Sequence, residues 1–584
     1  MKEWLRIFVV VVSLGAASRV VADPGPLELW SPTPAVSWNQ EAYSIGNGKL
    51  AAMIFGIVGT EQVQFNEETV WCGQPNDYSN PNATPAHLAS IRANCFARND
   101  IYPEAQTYLM SYPLRQAHYQ PTGVLNLNFA PHSGTSNYRR TLDLNTGTVI
   151  VRYDYNGVTY TREYFASNPT NRCLIVRLTA SQAARINFTA TFTTLQPSNS
   201  ISTSSSDLIL NAKVSNKPDM AYWVNPPGMT NAIEFQARVR VLNEGGNLSS
   251  TSSSITVANA DAVTLLLSAA SNYKNFQDIS NDEALICSNN IANAATNTYA
   301  ALRASQLADY QSLFNRVTLD LGTGNSAKTN MPTGQRIKLA SQGDDHQLST
   351  IYFQMGRYLT IAGSRPGSHP LNLQGKWNDL ADPNWESKHT LNVNQFLNYS
   401  GTEMANLSEC HEPMMDMIAD LAITGARVAT NIYYSRGWVV HHNTDLWRGA
   451  APINGRDGIW PAGQAWLAQN LWWHYQYTGD TNYLANTAYP LMKGAAEFFQ
   501  DFLIPHATNA NWLVTCPSYS SEHNWESGSI EVANVPGPTM DNELIRELCD
   551  YLIQSTHILG IDAEFRTNLI TLRAKLPPNK IGQH

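Results

Sequence analysis

The run VTLLLSA, residues 263–269, marks the point at which the character of this 584-residue sequence changes. It is the last of several short runs rich in β-branched and aromatic residues, a composition typical of β-strands. From about residue 285 the apolar residues recur every three or four positions, which is the period of an α-helix. The sequence therefore predicts an N-terminal β domain followed by an α domain.

The β region begins at residue 24 and ends near residue 270. Turn dipeptides such as Asn156-Gly157 and Gly245-Gly246 separate its strands, and the serine-rich stretches 198–206 and 249–254 are typical of exposed loops. Many short strands with turns between them predict a large antiparallel β-sandwich over residues 23–275. The predicted strands are 149–155, 158–165, 173–180, 186–192 and 263–269.

The α region is predicted to consist of a helical linker, residues 276–310, and an all-α domain, residues 311–584. Helices in succession, without intervening strands, are typical of such a domain. Three apolar helix faces are formed by Leu348, Ile351, Tyr352, Met355 and Leu359, by Met414, Met417, Ile418, Leu421 and Gly425, and by Trp466, Leu467, Leu471 and Tyr475. Further helices are predicted at 488–504, 540–557 and 562–575.

The overall composition excludes some classes of function. A net charge of -9 provides no basic surface, so we expect no nucleic-acid partner. The hydrophobic fraction of 43% and the charged fraction of 15% are those of a globular protein rather than a disordered one. The 15 Trp and 26 Tyr suit stacking on sugars, although most such rings pack in cores. No oligomeric state can be read from the sequence.

The N-terminus has the pattern of a signal peptide over residues 1–22. Lys2 and Arg6 precede an apolar run, and Val20-Val21-Ala22 offers a cleavage site. A membrane anchor would need roughly 20 apolar residues, and Ser18-Arg19 interrupts this run. We therefore expect a secreted, extracellular protein with no membrane association after cleavage. Five glycosylation sequons agree with export, at Asn82, Asn187, Asn247, Asn398 and Asn406.

The seven cysteines are scattered without the spacing of a metal site. An oxidising compartment permits disulfides, and the odd number leaves at least one cysteine unpaired within the chain. Cys72–Cys95 is the one pair that the sequence suggests.

Three loops of the α region hold nearly all of its polar and aromatic clusters, and loops of this kind commonly bear function. They are 363–400, 436–461 and 515–526. The residues that stand out are Arg365, Gln374, Trp377 and Asn378 in the first, His441, His442, Asn443, Asp445, Trp447 and Trp460 in the second, and Glu522 and Glu526 in the third. We expect Gln374, Trp377, His442, Asn443, Asp445, Trp447 and Trp460 to bind substrate.

The chemistry of these loops favours glycoside hydrolysis. Adjacent histidines in the stretch HHNTD, residues 441–445, point to opposite sides of an extended chain, which argues against a shared metal ion. There is no nucleophile elbow of the G-x-S-x-G type and no phosphate-binding glycine motif. Carboxylates and amides beside aromatic rings remain, and glycosidases use this combination. We expect no metal and no cofactor.

The sequence resembles glycoside hydrolase family 95, the inverting 1,2-α-L-fucosidases and related α-L-galactosidases. The resemblance runs in order through nearly the whole chain after the signal peptide. It rests on SIGNGKLAAMIFG (44–56), FNEETVWCGQP (65–75), YQPTGVLNLNF (119–129), YRRTLDL (138–144), LADYQSLFNRVTLDLG (307–322), SRPGSHPLNLQGKWND (364–379), ANLSECHEP (405–413), HHNTDLWR (441–448) and GPTMDNELIREL (537–548). The resemblance implies a β-sandwich followed by an (α/α)6 barrel.

The resemblance also implies the catalytic residues. The family's proton donor is a glutamate in a Pro-Ser-x-Ser-Pro-Glu-Asn stretch, which corresponds to residues 517–523 and assigns the acid to Glu522. Ser521 replaces the usual proline and His523 the usual asparagine. The alternative interpretation of Glu522 is a solvated loop residue.

The pair Asn392 and Asn394, in the stretch KHTLNVNQFLNY (388–399), matches a family Asn-x-Asn stretch that faces the sugar. An amide oxygen accepts a hydrogen bond from the attacking water but cannot keep its proton, and the resemblance implies an aspartate that polarises one amide. The alternative is a pair of buried amides that bind backbone groups. Ser400-Gly401 stands where the family has Trp-Pro.

The family continues beyond the point where this sequence stops, KLPPNKIGQH (575–584), into the segment that carries the aspartate. We therefore expect a truncated chain with an incomplete barrel. The predicted function is a secreted, exo-acting α-L-fucosidase on terminal fucose of oligosaccharides or cell-wall glycans. Two alternatives remain, an α-L-galactosidase, whose substrate differs by one hydroxyl on C6, and a non-catalytic sugar-binding protein.

Overall fold

A computed structural model describes residues 27–170, 172–214, 230–322, 324–520, 523–527 and 530–579. The predicted signal peptide and the candidate acid Glu522 both lie outside these residues.

The N-terminal region is an antiparallel β-sandwich, as predicted. One sheet has nine strands in the order β1-β6-β7-β8-β9-β16-β13-β12-β11, and the other has seven in the order β14-β15-β10-β5-β4-β3-β2. The strands are β1 Glu28–Ser31, β2 Tyr43–Gly46, β3 Leu50–Ile54, β4 Thr60–Glu67, β5 Gly123–Phe129, β6 Ser136–Asp143, β7 Thr148–Tyr155, β8 Val158–Ala166, β9 Leu174–Ala180, β10 Ile186–Thr193, β11 Ser198–Ser204, β12 Asp207–Lys213, β13 Glu234–Glu244, β14 Asn247–Ser250, β15 Ile255–Ala260 and β16 Ala262–Ser271.

Strand β16, which contains VTLLLSA, is buried along its whole length. Val263, Leu265 and Leu267 belong to the core of the sandwich, whereas Leu266 belongs to a second cluster on the outer face of the sheet. Helix α3 (Glu283–Ala295) covers that outer face and contributes Ile291 to the second cluster. The run is continuously apolar because both of its faces are covered.

The serine-rich stretch 198–206 was wrongly predicted to be a loop, whereas 249–254 is a loop from residue 251 onward and a strand before it. Ser198–Ser204 forms β11, which pairs with β12 at one edge of the nine-stranded sheet. Asn247–Ser250 forms β14 at one edge of the seven-stranded sheet. Most side chains of both strands are exposed, so an edge strand tolerates serine where a central strand would require apolar residues.

The remaining elements are mainly helical. In addition to α3, the helices are α1 Pro85–Phe96, α2 Tyr102–Tyr108, α4 Tyr299–Phe314, α5 Ser326–Thr329, α6 Thr333–Lys338, α7 His346–Gly363, α8 Asn394–Tyr399, α9 Glu412–Tyr433, α10 Gly463–Thr478, α11 Thr481–Tyr483, α12 Tyr489–Phe502, α13 Thr539–Leu559 and α14 Ala563–Ala574. Short 3-10 turns occur at Ala340–Gln342, Asn384–Ser387, Ser408–His411 and Arg456–Gly458, and a π-helical turn at Leu484–Ala488.

The α region also contains short strands, which the sequence did not predict. They are β17 His389–Thr390, β18 Asn443–Thr444, β19 Ile504–His506, β20 Asn509–Val514, β21 Ser518–Tyr519, β22 Trp525–Ser527, β23 Ile530–Val532 and β24 Asn534–Val535. They pair as β17 with β18, β19 with β20, β21 with β24 and β22 with β23. Ladders of two or three residues carry too little periodicity to be recognised in a sequence.

The predicted apolar helix faces are largely buried. The five residues of the α9 face are all buried, but Tyr352, which the sequence placed on the apolar face of α7, is 82% exposed. The predicted end of the linker at residue 310 falls inside α4. Within the described residues, α9, α10, α12, α13 and α14 pack against one another without closing into a complete barrel. None of the described helices is both long and apolar enough to cross a membrane.

The suggested disulfide between Cys72 and Cys95 is contradicted. The seven cysteines are buried free thiols, and these two belong to different core clusters, one in the sandwich and one in the α region. Cys95 instead interacts with the thiol of Cys516.

Four of the five sequon asparagines, Asn82, Asn187, Asn247 and Asn406, are exposed. The fifth, Asn398, is half-buried, and its amide nitrogen donates to the carbonyl of Asn372 at 3.2 Å.

Candidate active site

Strands β17 and β18 bring the first two predicted loops together. In this short ladder His389 pairs with Thr444 and Thr390 with Asn443. The pairing continues where the backbone nitrogen of Leu391 donates to the carbonyl of His442 at 2.7 Å. Asn392, the next residue, is therefore held close to the HHNTD segment although about 50 residues separate them in sequence.

Asp541, in the first turn of α13, joins the second loop to the third. Its Oδ1 accepts from Trp460 Nε1 at 3.0 Å and its Oδ2 accepts from Thr515 Oγ1 at 2.5 Å. A further contact runs from Asn534 Nδ2, on β24, to the carbonyl of Arg456 at 3.0 Å. Burial raises the pKa of Asp541 to about 6, although the hydrogen bonds that its carboxylate accepts from Thr515 and Trp460 act to lower the pKa. The three predicted loops thus form one connected region, and the third is described up to Ser520 and again from His523, on either side of Glu522.

The two candidate amides differ in exposure. Asn392 is 7% exposed, whereas Asn394 is the exposed first residue of α8. The far end of this six-residue helix is fixed by Tyr399, whose hydroxyl is 2.7 Å from Ser364 Oγ and accepts from the backbone nitrogen of Leu371 at 2.9 Å. A short helix fixed at its far end places the Asn-x-Asn stretch on a supported element.

Three of the predicted substrate-binding residues have buried polar atoms without a hydrogen-bond partner among the described residues. These atoms are Gln374 Oε1, His442 Nδ1 and Asn443 Oδ1. A buried polar atom left unpaired costs free energy, so such atoms in one region suit a ligand with hydroxyl groups. Burial lowers the pKa of His442 well below its ordinary value, and the nearby Lys388 charge adds to this effect. His442 is therefore neutral and can either donate to or accept from a hydroxyl.

The other four predicted substrate-binding residues are bonded to the protein itself. Trp377 Nε1 donates to the carbonyl of Ile45 at 3.0 Å, Trp447 Nε1 to that of Cys72 at 2.9 Å, and Trp460 Nε1 to Asp541. Each of these rings is at most 7% exposed. Contact between these tryptophans and a substrate stays a prediction, while their present contacts are those of packing residues.

Asp445 is fully buried and accepts four hydrogen bonds. Its Oδ2 accepts from the hydroxyl of Tyr78 at 2.5 Å and from the backbone nitrogen of Ala117 at 2.8 Å. Its Oδ1 accepts from the backbone nitrogens of Trp447 and Gly449, each at 3.1 Å. The carboxylate connects the HHNTD loop to the N-terminal region, which is a structural position that the sequence did not reveal.

A buried group of charges beside β17 was also missed. Lys388 is 1% exposed and pairs with Glu386 at 2.9 Å, and His118 Nε2 lies 4.0 Å from the same carboxylate. Burial alone would raise the pKa of Glu386, but Lys388 offsets this and the pKa lies below its ordinary value. Burial lowers the pKa of His118 to about 4. The site therefore combines an ionised carboxylate with neutral histidines. The signal for it was the pair Glu386 and Lys388, directly before the Asn-x-Asn stretch.

The backbone next to this group is unusual. Trp385, Glu386 and Ser387 have φ values of 48°, 59° and 49°, three successive non-glycine residues in the left-handed region. Such conformations cost about 1–3 kcal/mol each and persist where the surroundings impose them, often at functional sites.

The two adjacent histidines have different partners, as expected for an extended segment. His441 lies between the hydroxyl of Tyr433, 2.7 Å from Nε2, and the carbonyl of Ala450, 2.8 Å from Nδ1. His442 Nε2 faces Asn454 and Asp457.

The sequence matches the models of two known protein families. Residues 298–584 match the model of the glycosyl hydrolase family 95 catalytic domain, and residues 29–276 match that of the glycosyl hydrolase family 65 N-terminal domain. "Alpha-L-fucosidase 2" of Arabidopsis thaliana is 35% identical, in an alignment that covers 96% of this chain and 68% of that protein. "Probable alpha-fucosidase A" of Aspergillus niger is 29% identical over 93% of this chain and 69% of its own length.

A solved structure has a similar fold. The "Putative kojibiose phosphorylase from human microbiome" superposes with a TM-score of 0.57 at 10% identity, over 95% of this chain and 70% of that one. At this identity the similarity concerns the fold alone.

Proposed function

Because this chain belongs to glycoside hydrolase family 95 and is a glycoside hydrolase, we propose that it releases terminal α-L-fucose from oligosaccharides or cell-wall glycans with inversion at the anomeric carbon. The similarity over most of the chain to one protein named as an α-L-fucosidase and another named as a probable α-fucosidase supports fucose as the sugar.

One observation carries the proposal at the level of the site. The β17–β18 ladder and the Leu391 to His442 hydrogen bond bring Asn392 beside His442 and Asn443. Residues that the sequence assigned to catalysis and to substrate binding thus lie in one region, together with buried polar atoms of Gln374, His442 and Asn443 that have no partner among the described residues. A fucose ring offers hydroxyl groups that can satisfy such atoms, which an apolar ligand cannot do.

In the proposed mechanism the amides of Asn392 and Asn394 hold the attacking water by accepting its hydrogen bonds. They position the water, and its proton passes to the aspartate that the family resemblance implies behind one of these amides, because an amide oxygen is too weakly basic to keep it. Glu522 donates a proton to the departing glycosidic oxygen, the role of the acid in an inverting glycosidase. His442, being neutral, contributes hydrogen bonds to a sugar hydroxyl rather than charge.

Export is part of the same proposal. The signal-like residues 1–22 support it, as do the four exposed sequons at Asn82, Asn187, Asn247 and Asn406. Treatment of protein from a eukaryotic host with an endoglycosidase should shift its mass by several glycans, and an unchanged mass would argue against export.

The function is tested by incubating the protein with an oligosaccharide that ends in α-1,2-linked L-fucose, and in parallel with its α-L-galactosyl counterpart. We expect free L-fucose to be the dominant product, and NMR recorded before mutarotation should show it as the β-anomer. Dominant release of L-galactose would replace the proposed sugar, and an α-anomer would overturn the inverting mechanism.

A further inference from the structure

A cluster of three potential metal ligands lies in the α region, and the sequence analysis assigned no function to its residues, nor does the proposed mechanism use them. Glu403 lies between α8 and α9, His411 lies directly before α9, and His474 lies on α10. One ligand atom from each falls within 4.8 Å of the others. Glu403 and His411 are buried, while the His474 side chain remains 14% exposed and gives access from solvent.

The hydrogen bonds around His411 bear on which of its ring nitrogens carries the hydrogen. Asn470 Nδ2 donates to the carbonyl of Leu467 at 3.4 Å, so Asn470 Oδ1 is the atom that faces His411 Nε2 at 3.2 Å. This orientation of the Asn470 amide favours the tautomer with the hydrogen on Nε2. In a neutral imidazole the other nitrogen, Nδ1, presents a lone pair, and here it lies 2.8 Å from Glu403 Oε1. In that tautomer His411 Nδ1 and Glu403 Oε1 would both be acceptors and would repel each other at this distance, so a cation between them is needed.

His474 reaches the same oxygen. Its Nδ1 lies 2.7 Å from Glu403 Oε1, and its ring meets that of Tyr483 at a centroid distance of 4.5 Å and an angle of 68°. Two imidazole Nδ1 atoms therefore converge on one carboxylate oxygen. The other carboxylate oxygen accepts from Ser408 Oγ at 2.5 Å. Outer hydrogen bonds of this kind, to the distal nitrogen of a histidine and to the carboxylate, orient the ligands in metal sites.

We propose that Glu403, His411 and His474 bind a divalent transition-metal ion, with zinc the best fit to two imidazoles and one carboxylate. Tetrahedral zinc, with bonds of about 2.0–2.1 Å, needs ligand atoms about 3.3 Å apart. The nitrogen–oxygen separations would open by about 0.5 Å, which small side-chain rotations provide. The competing cation is a proton on His411, which would make an ion pair with Glu403.

The position of the cluster assigns the metal a structural role. Tyr399, the last residue of α8, stacks on the His411 ring at a centroid distance of 5.3 Å and an angle of 12°. Helix α8 begins at Asn394, so an ion that joins the segment before α9 to α10 would also support the element that presents this amide.

The test uses untagged full-length protein that has been treated with a chelator and dialysed. On titration with Co²⁺ we expect the visible d–d bands of a tetrahedral site at one equivalent, their displacement by Zn²⁺, and a higher Tm with Zn²⁺. His474→Gln should weaken Zn²⁺ binding at least 100-fold, and its partly exposed position makes it the variant that keeps the fold. His557→Gln, an exposed histidine on α13, is the matched control and should bind as the parent does.

A parent protein without Co²⁺ bands and with a Tm independent of Zn²⁺ would overturn the proposal in favour of the protonated ion pair. Bands that persist unchanged in His474→Gln would overturn it as well, because the ion would then be bound elsewhere.

Discussion

Replacement of Asp445 by asparagine tests whether this residue supports the loop or binds the substrate. Its carboxylate accepts from four donors, two on each oxygen. The amide of asparagine replaces one oxygen with a donor. If the new NH2 group takes the position of Oδ2, beside Tyr78, the tyrosine hydroxyl can rotate and accept from it, but the backbone nitrogen of Ala117 loses its acceptor. If the NH2 group takes the position of Oδ1, the backbone nitrogens of both Trp447 and Gly449 lose their acceptor.

One buried donor without a partner costs about 1–3 kcal/mol, and hydrogen bonds to a charged group are each worth about 1.5–3 kcal/mol. Removal of a costly buried charge offsets part of this loss. We therefore expect Asp445→Asn to lower the free energy of unfolding by about 2–4 kcal/mol, a large share of the roughly 5–15 kcal/mol typical of a domain.

Urea unfolding followed by tryptophan fluorescence and by circular dichroism measures this loss. Asn443→Ala, two residues away in the same loop, is the matched control. Its Oδ1 has no partner among the described residues, so the variant should stay within about 1 kcal/mol of the parent but raise KM for a fucoside. Asp445→Asn with unchanged stability and a raised KM would refute the structural role and restore the residue to the substrate site.

Three further predictions concern the proposed chemistry and its surroundings. Glu522→Gln should lower turnover of a natural glycan by about 10²–10⁴-fold and of an aryl fucoside by less; activity within a few-fold of the parent would place the acid elsewhere. Asn392→Ala and Asn394→Ala should each lower kcat far more than they raise KM, because holding a water acts mainly in the transition state; an effect on KM alone would assign them to binding. Since the pKa of Asp541 is raised from 3.8 to about 6, its contribution to stability is present below about pH 4 and is lost as the pH rises through 6, by about 3 kcal/mol in all. Asp541→Asn should remove this dependence in urea unfolding measured from pH 4 to 8, and an unchanged profile would show that other groups cause it.

The domain order could be predicted from the sequence because the spacing of apolar residues, which differs between strands and helices, is visible in short stretches. The apolar run of β16 and the face of α9 are visible in a few adjacent residues. Edge strand β11 and the last two residues of edge strand β14 were mistaken for loops because their exposed side chains carry no alternation of apolar and polar residues. Tyr352 was placed on the apolar face of its helix from spacing alone, yet it is exposed because nothing among the described residues covers that side of α7.

The candidate site was predictable only in part. The loops that contain Asn392 and His442 stood out by composition, but the role of Asp445 depends on Tyr78 and Ala117, which are more than 300 residues away. Asp541 was noted only as part of a motif, since its partners Trp460 and Thr515 come from two other segments. Contacts of this range follow from the tertiary fold and leave no mark on local sequence.

The cover that α3 provides over β16 determines where this protein can be divided. A fragment that stops at residue 276, at the end of the N-terminal family match, would release Phe165, Ile175 and Leu266 into water, and each large apolar side chain so exposed forfeits about 1.5–3 kcal/mol. A fragment that continues through α3 and α4 keeps that cluster closed, since Leu302 on α4 also belongs to it. The smallest autonomous piece of the sandwich is therefore about 40 residues longer than its strands alone, and an expression series with ends at 276, 296 and 316 should become soluble only as these helices are included.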